Sequence, residues 1–242
     1  MIIKKLAFVL VLFFCFLACK EDKKADPKPI QPKERAQENI IDWENKWTKG
    51  IGSIDGFKSF GKEEESQRIL MKDPNNEEAI IWECIPDNST VWDGGFMTSN
   101  YEIDKDYSYI FVVWLKKTNG NVGKSYTAFT NVEEVNGESV KNAFFIGAGS
   151  RFDNLNQWYT LVGYIHPSNY VDNVEAPIIS GLYYQGEKVQ EGRDFKWKSD
   201  ALNTSFRVVL NDCKDNEEER LYIWNPQLYK VDGTEPKLYK LL

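Results

Sequence analysis

The chain has 242 residues, of which 42% are hydrophobic and 14% aromatic, and 37 acidic side chains outnumber 30 basic ones. This length corresponds to one domain that can bury its own core without disulfide bonds or structural metal ions. The formal charge of −7 argues against nucleic acid as a partner, because phosphate backbones are bound by concentrated Lys and Arg, and the single histidine, His166, argues against multi-histidine zinc sites.

The N-terminus has the pattern of a secretory signal. Lys4 and Lys5 precede the apolar run LAFVLVLFFCFLA, which is shorter than the roughly 20 residues of a membrane span. The next step, FLAC (16–19), resembles a bacterial lipobox, in which a peptidase cleaves before the cysteine and the new N-terminus carries the lipid. We therefore expect a lipoprotein signal peptide at 1–18 and lipidation at Cys19. The alternatives are a plain secretion signal or an N-terminal membrane helix.

Residues 19–50 are predicted to form a charged, proline-rich tether. The segments KEDKK (20–24) and DPKPIQP (26–32) cannot bury apolar surface and stay extended. The Cys-Lys-Glu-Asp start resembles the export signal of outer-surface lipoproteins of Bacteroidetes. It implies an outer-membrane lipoprotein that faces the cell exterior. Cleavage before Cys19 leaves 28 basic and 37 acidic side chains, a formal charge of −9.

One stretch near the end of this tether differs from the rest. Ile40, Ile41, Trp43 and Trp47 have partial amphipathic spacing. This spacing predicts a short helix over 36–49 that packs against the following domain.

From residue 51 onward the chain is predicted to form strands and turns. The segments rich in β-branched and aromatic residues are 79–85, 109–116, 125–135, 143–148, 158–166, 177–184, 206–212 and 220–231. Turn residues separate them, such as Asn-Gly at 119 and 136 and Asn-Pro at 225. Helical periodicity does not persist for three turns anywhere after residue 50. We therefore predict a single antiparallel β-sandwich domain over 51–242.

Two cysteines remain after signal cleavage and lipidation, Cys84 and Cys213. Export places them in an oxidising compartment, where a disulfide persists. A bond between these two strand-like stretches is one reading, and two separate buried thiols are the other.

Several motifs together resemble a known family. They are FxxFG (57–61), DGGF (93–96), IDxxxxYxFxVWLK (103–116), WYxLVGYIHP (158–167), DFKW (194–197) and WNPQLYKVDGTEP (224–236). This set resembles the laminin-G-like and carbohydrate-binding jelly-roll modules of bacterial surface lipoproteins, with relatives in marine polysaccharide utilisation and phage tail proteins. The resemblance covers most of the mature chain and implies an all-β antiparallel jelly roll that binds polysaccharide. Phe96 and Asn225 depart from the family pattern, where Trp and Asp are expected.

Period-two alternation in WYTLVGYIH places Trp158, Tyr164 and His166 on one face of a strand. Sugar rings present flat C–H faces with hydroxyl rims, so a glycan-binding sheet needs aromatic planes beside polar groups. Tyr184 and Arg207, on neighbouring predicted strands, are expected to extend this face. Packing of the aromatic residues in the core is the alternative.

A second candidate site lies in the loop from Asp87 to Gly95. Loops at the end of a sandwich often bind ligands, and Trp92 beside Asp93 supplies a stacking plane with a hydrogen-bonding partner. Burial of Trp92 under the loop is the alternative. Calcium is a candidate cofactor, because oxygen-bearing side chains lie near turns at Asp87, Asn88, Asp93, Asp104, Asp106, Asp232 and Glu235.

Three classes of function remain open. A non-catalytic glycan-binding lipoprotein is favoured, because the signatures of hydrolases and phosphate-binding loops are absent. A polysaccharide lyase or hydrolase is the first alternative, with His166, Tyr164, Arg151 and Arg207 as its candidate acid, base and carboxylate-neutralising groups. Arg151 is also a candidate glycan contact. The third class is an adhesin or structural lipoprotein that binds another envelope protein.

Overall fold

The fold is described from a computed structural model over residues 37–87, 92–171 and 177–242. The predicted signal peptide, the lipidation site Cys19 and the candidate calcium ligand Asn88 lie outside these residues and stay predictions. Within the described part of the chain, no helix is both long enough and apolar enough to cross a membrane.

The described residues form strands and two short 3-10 turns, Glu63–Glu65 and Leu238–Lys240, which confirms the all-β prediction. The strands are β1 (Gly50–Ile51), β2 (Phe57–Ser59), β3 (Ser66–Lys72), β4 (Glu78–Cys84), β5 (Trp92–Thr98), β6 (Tyr101–Glu102), β7 (Ser108–Thr118), β8 (Lys124–Phe129), β9 (Val132–Glu134), β10 (Ala143–Phe144), β11 (Trp158–His166), β12 (Gly181–Tyr184), β13 (Glu187–Glu191), β14 (Phe195–Trp197), β15 (Asn203–Thr204), β16 (Phe206–Asn211) and β17 (Arg220–Val231).

These strands build two main sheets and a small ribbon. The larger sheet has the order β1-β3-β4-β17-β7-β11-β12-β13, with β14 and β9 attached at the end of β11. The smaller sheet has the order β10-β8-β16-β5-β2, and β15 pairs with β6. Every strand pair is antiparallel except β11 with β14. The predicted antiparallel jelly-roll sandwich is therefore confirmed.

Aromatic rings fill the space between the inner faces of the two sheets. Phe111 of the larger sheet lies 4.8 Å from Phe206 of the smaller one, centroid to centroid. Trp82 lies 5.0 Å from Phe96 in the same way. All four side chains are at most 1% exposed. Because large buried aromatics contribute much apolar area and pack edge to face, this interface is the main source of stability.

The segment before β1 is part of this core. Ile41, Trp43 and Trp47 are buried, and the Trp47 ring contacts both Phe57 of the smaller sheet and Trp82 of the larger one. The predicted packing is present, but the predicted helix over 36–49 is wrong, because residues 37–49 form irregular backbone with a single turn at 44–46. The packed part of the chain therefore extends to the N-terminal side of residue 51, at least as far as Ile41.

Each of the two acidic runs 63–65 and 217–219 has one carboxylate inside the protein. Glu65 is 1% exposed and Glu219 is fully buried. Glu219 forms an ion pair with the buried Lys117 and accepts hydrogen bonds from the backbone N–H groups of Val122 and Gly123. This ion pair ties the loop after β7 to the start of β17.

Cys84 and Cys213 are both buried, and the structure has them as free thiols. Burial raises the pKa of both, and the charge of Cys213 raises the pKa of Cys84 further. The thiols therefore lie in one region of the core, at the end of β4 and after β16. A disulfide between them in the exported protein stays a prediction.

Candidate functional site

The outer face of the smaller sheet carries a row of aromatic side chains. In β16, Phe206, Val208 and Leu210 point into the core, so alternation turns Arg207, Val209 and Asn211 outward. Arg207 lies opposite Met97 of β5 on one side and Ala128 of β8 on the other. Arg207 thus occupies the middle of this outer face.

The row runs through Trp92, Phe60, Arg207, Phe144 and Tyr126. Trp92 and Phe60 meet edge to face at 4.7 Å, and Phe144 and Tyr126 stack at 4.4 Å. The Arg207 guanidinium joins the two pairs, since its Cζ is 5.6 Å from the Phe60 centroid and 5.4 Å from that of Phe144. All five side chains are partly exposed. We call this set the aromatic row.

Hydrogen bonds hold the row in place from both sides. Arg207 Nη2 donates to Asn142 Oδ1 at 2.8 Å. Behind it, Arg193 Nε donates to the carbonyl of Phe144 at 3.0 Å, and Arg193 forms an ion pair with Glu134. The backbone N–H of Phe60 donates to the carbonyl of Gly95 at 2.9 Å. The surface is therefore preorganised, which reduces the entropy lost on binding.

A pocket of about 270 Å³ adjoins the row at Arg207. Its lining combines apolar side chains with amide, hydroxyl and cationic groups: Met97, Ala128, Phe129, Thr130, Asn131, Val132, Val140, Lys141, Asn142, Ala143, Lys198, Ser205, Phe206 and Arg207. Burial lowers the pKa of Arg207. Apolar planes beside a few fixed polar groups are what a small-molecule or sugar site requires.

Two of the predicted contacts, Trp92 and Arg207, belong to this face, although the sequence placed them in separate sites. Arg207 was expected beside Tyr164, but β16 belongs to the smaller sheet and β11 to the larger one. The prediction that Asp93 contacts a ligand beside Trp92 is wrong. It is fully buried and its Oδ2 accepts the backbone N–H of Cys213 at 2.9 Å.

Trp158, Tyr164 and His166 share the outer face of the larger sheet. Lys116 lies over the Trp158 ring at 5.1 Å, and Tyr164 packs on a cluster that includes Val162 and Leu241. Tyr170 stacks on the His166 ring at 3.8 Å, and His166 Nε2 is 3.4 Å from Asp194 Oδ2. The inner faces of the two sheets pack together, so these residues and Arg207 point away from each other. The four residues predicted for a lyase, His166, Tyr164, Arg151 and Arg207, therefore do not converge, because Arg207 faces away from His166 and Tyr164.

Two other candidates lie elsewhere. Tyr184 is not on the Tyr164 face, because it stacks on Tyr159 at 4.8 Å and packs against the main core. Its neighbour Tyr183 occupies the outer position instead, opposite Thr160. Arg151 is exposed in the loop before β11, and its backbone N–H donates to Gln190 Oε1. Neither residue joins the aromatic row.

The candidate calcium ligands are dispersed. Asp104 forms an ion pair with Lys230, while Asp232 and Glu235 accept hydrogen bonds within their own turn. Across residues 37–87, 92–171 and 177–242, no group of three or more His, Cys, Asp or Glu side chains is arranged to hold a metal ion. Calcium binding has no support from these positions.

Phe60, Tyr126, Phe144 and Asn142 are the residues that the sequence did not identify. Tyr126 lies within a predicted strand, and its alternation with the buried Ser125 and Thr127 places it on an outer face. Phe60 and Asn142 lie outside regular strands, so no local pattern identifies them. Only the fold brings these side chains to Arg207.

Fold and site together define an antiparallel β-sandwich with a preorganised aromatic surface on its smaller sheet. No protein-family model and no curated protein matches the chain. Solved structures similar to it include a putative sugar binding protein from Bacteroides thetaiotaomicron, with 13% identity, a TM-score of 0.43, and 80% of this chain and 100% of that chain covered. A C-terminal family 22 carbohydrate binding module from Clostridium thermocellum has 14% identity and a TM-score of 0.40, with 81% of this chain and 100% of that chain covered.

A third similar structure is an arabinose-bound α-L-arabinofuranosidase, with 10% identity and a TM-score of 0.36. The match covers 72% of this chain, which spans only 23% of that enzyme's length. All three likenesses concern the fold, and the activities in these names are properties of those proteins.

Proposed function

We propose that this protein is a non-catalytic glycan-binding lipoprotein, anchored in the outer membrane through Cys19 and facing the cell exterior. Its binding surface is the aromatic row of the smaller sheet, and its task is the capture of polysaccharide. The observation that carries this proposal is the arrangement of Trp92, Phe60 and Phe144 around Arg207 on one outer face. The anchor rests on the N-terminal sequence alone.

The physical argument concerns the shape and polarity of a sugar. A pyranose ring has an apolar C–H face that packs on an aromatic plane, and hydroxyls at its edge that need hydrogen-bond partners. The row offers partly exposed rings at several points along the sheet, and Asn142 and Arg207 supply polar groups between them. A linear chain can therefore contact more than one ring at a time.

Affinity electrophoresis of the protein, purified in detergent, against a panel of polysaccharides tests this proposal. We expect retardation by at least one polymer, and we expect Trp92→Ala to weaken it about tenfold, since stacking contacts of this kind contribute on the order of 1 kcal/mol or more. Trp158→Ala is the matched control, because it removes an equally large, partly exposed ring from the outer face of the larger sheet.

Three results distinguish between the two sheets and between glycan and protein as the ligand. Loss of retardation in Trp92→Ala alone supports the aromatic row. Loss in Trp158→Ala alone transfers the site to the larger sheet and refutes the assignment. Absence of retardation by every polymer, together with co-purification of another envelope protein, favours an adhesin or structural lipoprotein instead.

A further inference from the structure

The pocket beside the aromatic row has a charge opposite to that of the whole protein. The chain carries a formal charge of −7, yet Arg207, Lys141 and Lys198 all line this pocket. Its lining residues include no Asp or Glu. A local cationic site on an acidic protein attracts anions selectively, because like charges on the remaining surface repel them.

Arg207 differs from other partly buried arginines of the sandwich in how its charge is balanced. Arg193 forms an ion pair with Glu134 at 2.8 Å, and Arg220 lies 3.5 Å from Glu83. Arg68, which is buried, forms no ion pair among the described residues, but it donates to the backbone carbonyls of Thr48 and Gly52.

The Arg207 guanidinium has much less compensation. Within the part of the chain that the structure describes, it forms no ion pair, and its one hydrogen bond is from Nη2 to Asn142. Its Nε is buried and has no hydrogen-bond partner. Burial lowers the pKa of Arg207, and no neighbouring carboxylate offsets that effect. The rings of Phe60 and Phe144 and the amide of Asn142 are all neutral, so this partly desolvated cation has no counter-charge among the described residues, which is costly unless a ligand supplies one.

The lysines extend this cationic region along the pocket rim. Lys141 is exposed and Lys198 is partly exposed, and neither forms an ion pair among the described residues. Both belong to chain segments that flank the end of β8. Flexible ammonium groups at the rim can follow anionic groups whose positions vary along a polymer. The planar guanidinium instead binds an anionic group in one fixed orientation.

We infer that the aromatic row binds an acidic glycan, with sugar rings packed along the row and a carboxylate or sulfate group against Arg207. This inference rests on the proposed function, since it names the class of glycan for the same site. Asn142 is a positioning residue, because it holds the guanidinium through Nη2. Lys141 and Lys198 then contact acidic groups on neighbouring sugars.

The test uses matched pairs of polymers that differ only in charge. One pair is polygalacturonate and its carboxyl-reduced form, and the other is a sulfated galactan and its desulfated form. We expect the protein to bind at least one charged polymer about tenfold more tightly than its neutral counterpart, and added NaCl to weaken that binding. The two pairs distinguish a carboxylate from a sulfate ligand.

Arg207→Gln is expected to reduce affinity for the charged polymer at least tenfold, because a hydrogen bond to an ionised group is lost, and to reduce affinity for the neutral form much less, so that the preference for the charged polymer disappears. Lys72→Gln is the matched control, since it removes one exposed positive charge at the end of β3. The double variant Lys141→Gln and Lys198→Gln gives a second test if Arg207→Gln does not fold.

Failure of the acidic-glycan inference can be distinguished from failure of the proposed function. Equal binding of charged and neutral polymers, with sensitivity to Trp92→Ala, overturns the acidic-glycan inference and leaves the proposed function in place. A preference for charge that Lys72→Gln weakens as much as the pocket variants indicates nonspecific ion exchange and also overturns it. Absence of binding to any polymer removes the proposed function itself.

Discussion

Glu65 makes the stability of this protein depend on pH between mildly acidic and neutral conditions. The side chain is 1% exposed, and Oε2 accepts the backbone N–H of Lys62 at 2.5 Å. Burial raises the pKa of Glu65 from 4.5 to about 7, against the lowering effect of the Lys62 hydrogen bond, and the neighbouring Asp87 carboxylate raises it further. At neutral pH the folded protein therefore holds a carboxyl group that resists ionisation.

The sign of the effect follows from the two pKa values. Well below pH 4.5 the carboxyl is protonated in both the folded and the unfolded chain, so the ionisation of Glu65 does not reduce the free energy of unfolding. As the pH rises towards 7, the unfolded chain loses this proton first, so the free energy of unfolding falls. At 1.36 kcal/mol per pH unit, the interval from 4.5 to about 7 corresponds to a loss of up to about 3 kcal/mol.

Glu65→Gln removes the titration and keeps the shape. The amide oxygen still accepts the Lys62 N–H, and the neutral amide avoids the repulsion between an ionised Glu65 and Asp87. We expect this variant to match the parent protein at pH 4.5 and to exceed it by about 2–3 kcal/mol at pH 8. The measurement is chemical denaturation at a series of pH values, with Glu64→Gln, an exposed neighbour, as the matched control. Parallel pH profiles for the parent and Glu65→Gln would refute the reasoning.

Three further predictions concern the core. Lys117→Met leaves Glu219 buried without its cation and is expected to lower the free energy of unfolding by about 3–5 kcal/mol, and Glu219→Gln in the same chain should recover part of that loss in chemical denaturation. Gly163→Ala places a methyl group 2.3 Å from the Phe145 ring and should cost about 1–3 kcal/mol; a thermal midpoint equal to the parent's would contradict this clash. In the exported protein we expect a disulfide between Cys84 and Cys213. Thiol titration in denaturant should then detect neither cysteine until reductant is added. Two reactive thiols in the absence of reductant would contradict this expectation.

The strands that local pattern predicted best are long and central. The predicted segments 158–166 and 220–231 match β11 and β17 at both ends. Both pair with β7 and have a core-facing set of apolar residues, so alternation is strong along their whole length. By contrast, β5 was not predicted as a strand, because its sequence WDGGFMT contains two glycines with positive φ.

The predicted site failed where it depended on contacts distant in sequence. Alternation correctly placed Trp158, Tyr164 and His166 together, since they belong to one strand. It could not relate that strand to β12 or β16. In β12 the buried Leu182 contacts the main core and Tyr183 lies opposite Thr160 of β11, so Tyr184 shares the inner face with Leu182 and lies away from Tyr164. Register between strands is set by their pairing and not by either sequence alone.

The sequence by itself determined that this chain is an aromatic-rich, all-β sandwich, because strand formation and the two faces of a strand follow from a local period of two. It also identified Trp92 and Arg207 as ligand-contact candidates. Only the tertiary structure decided which sheet contains Arg207, which rings surround it, and that no carboxylate among the described residues pairs with it. The physical reason is that Phe60, Phe144 and Arg207 are far apart in the chain, and pairing of the smaller sheet brings them together.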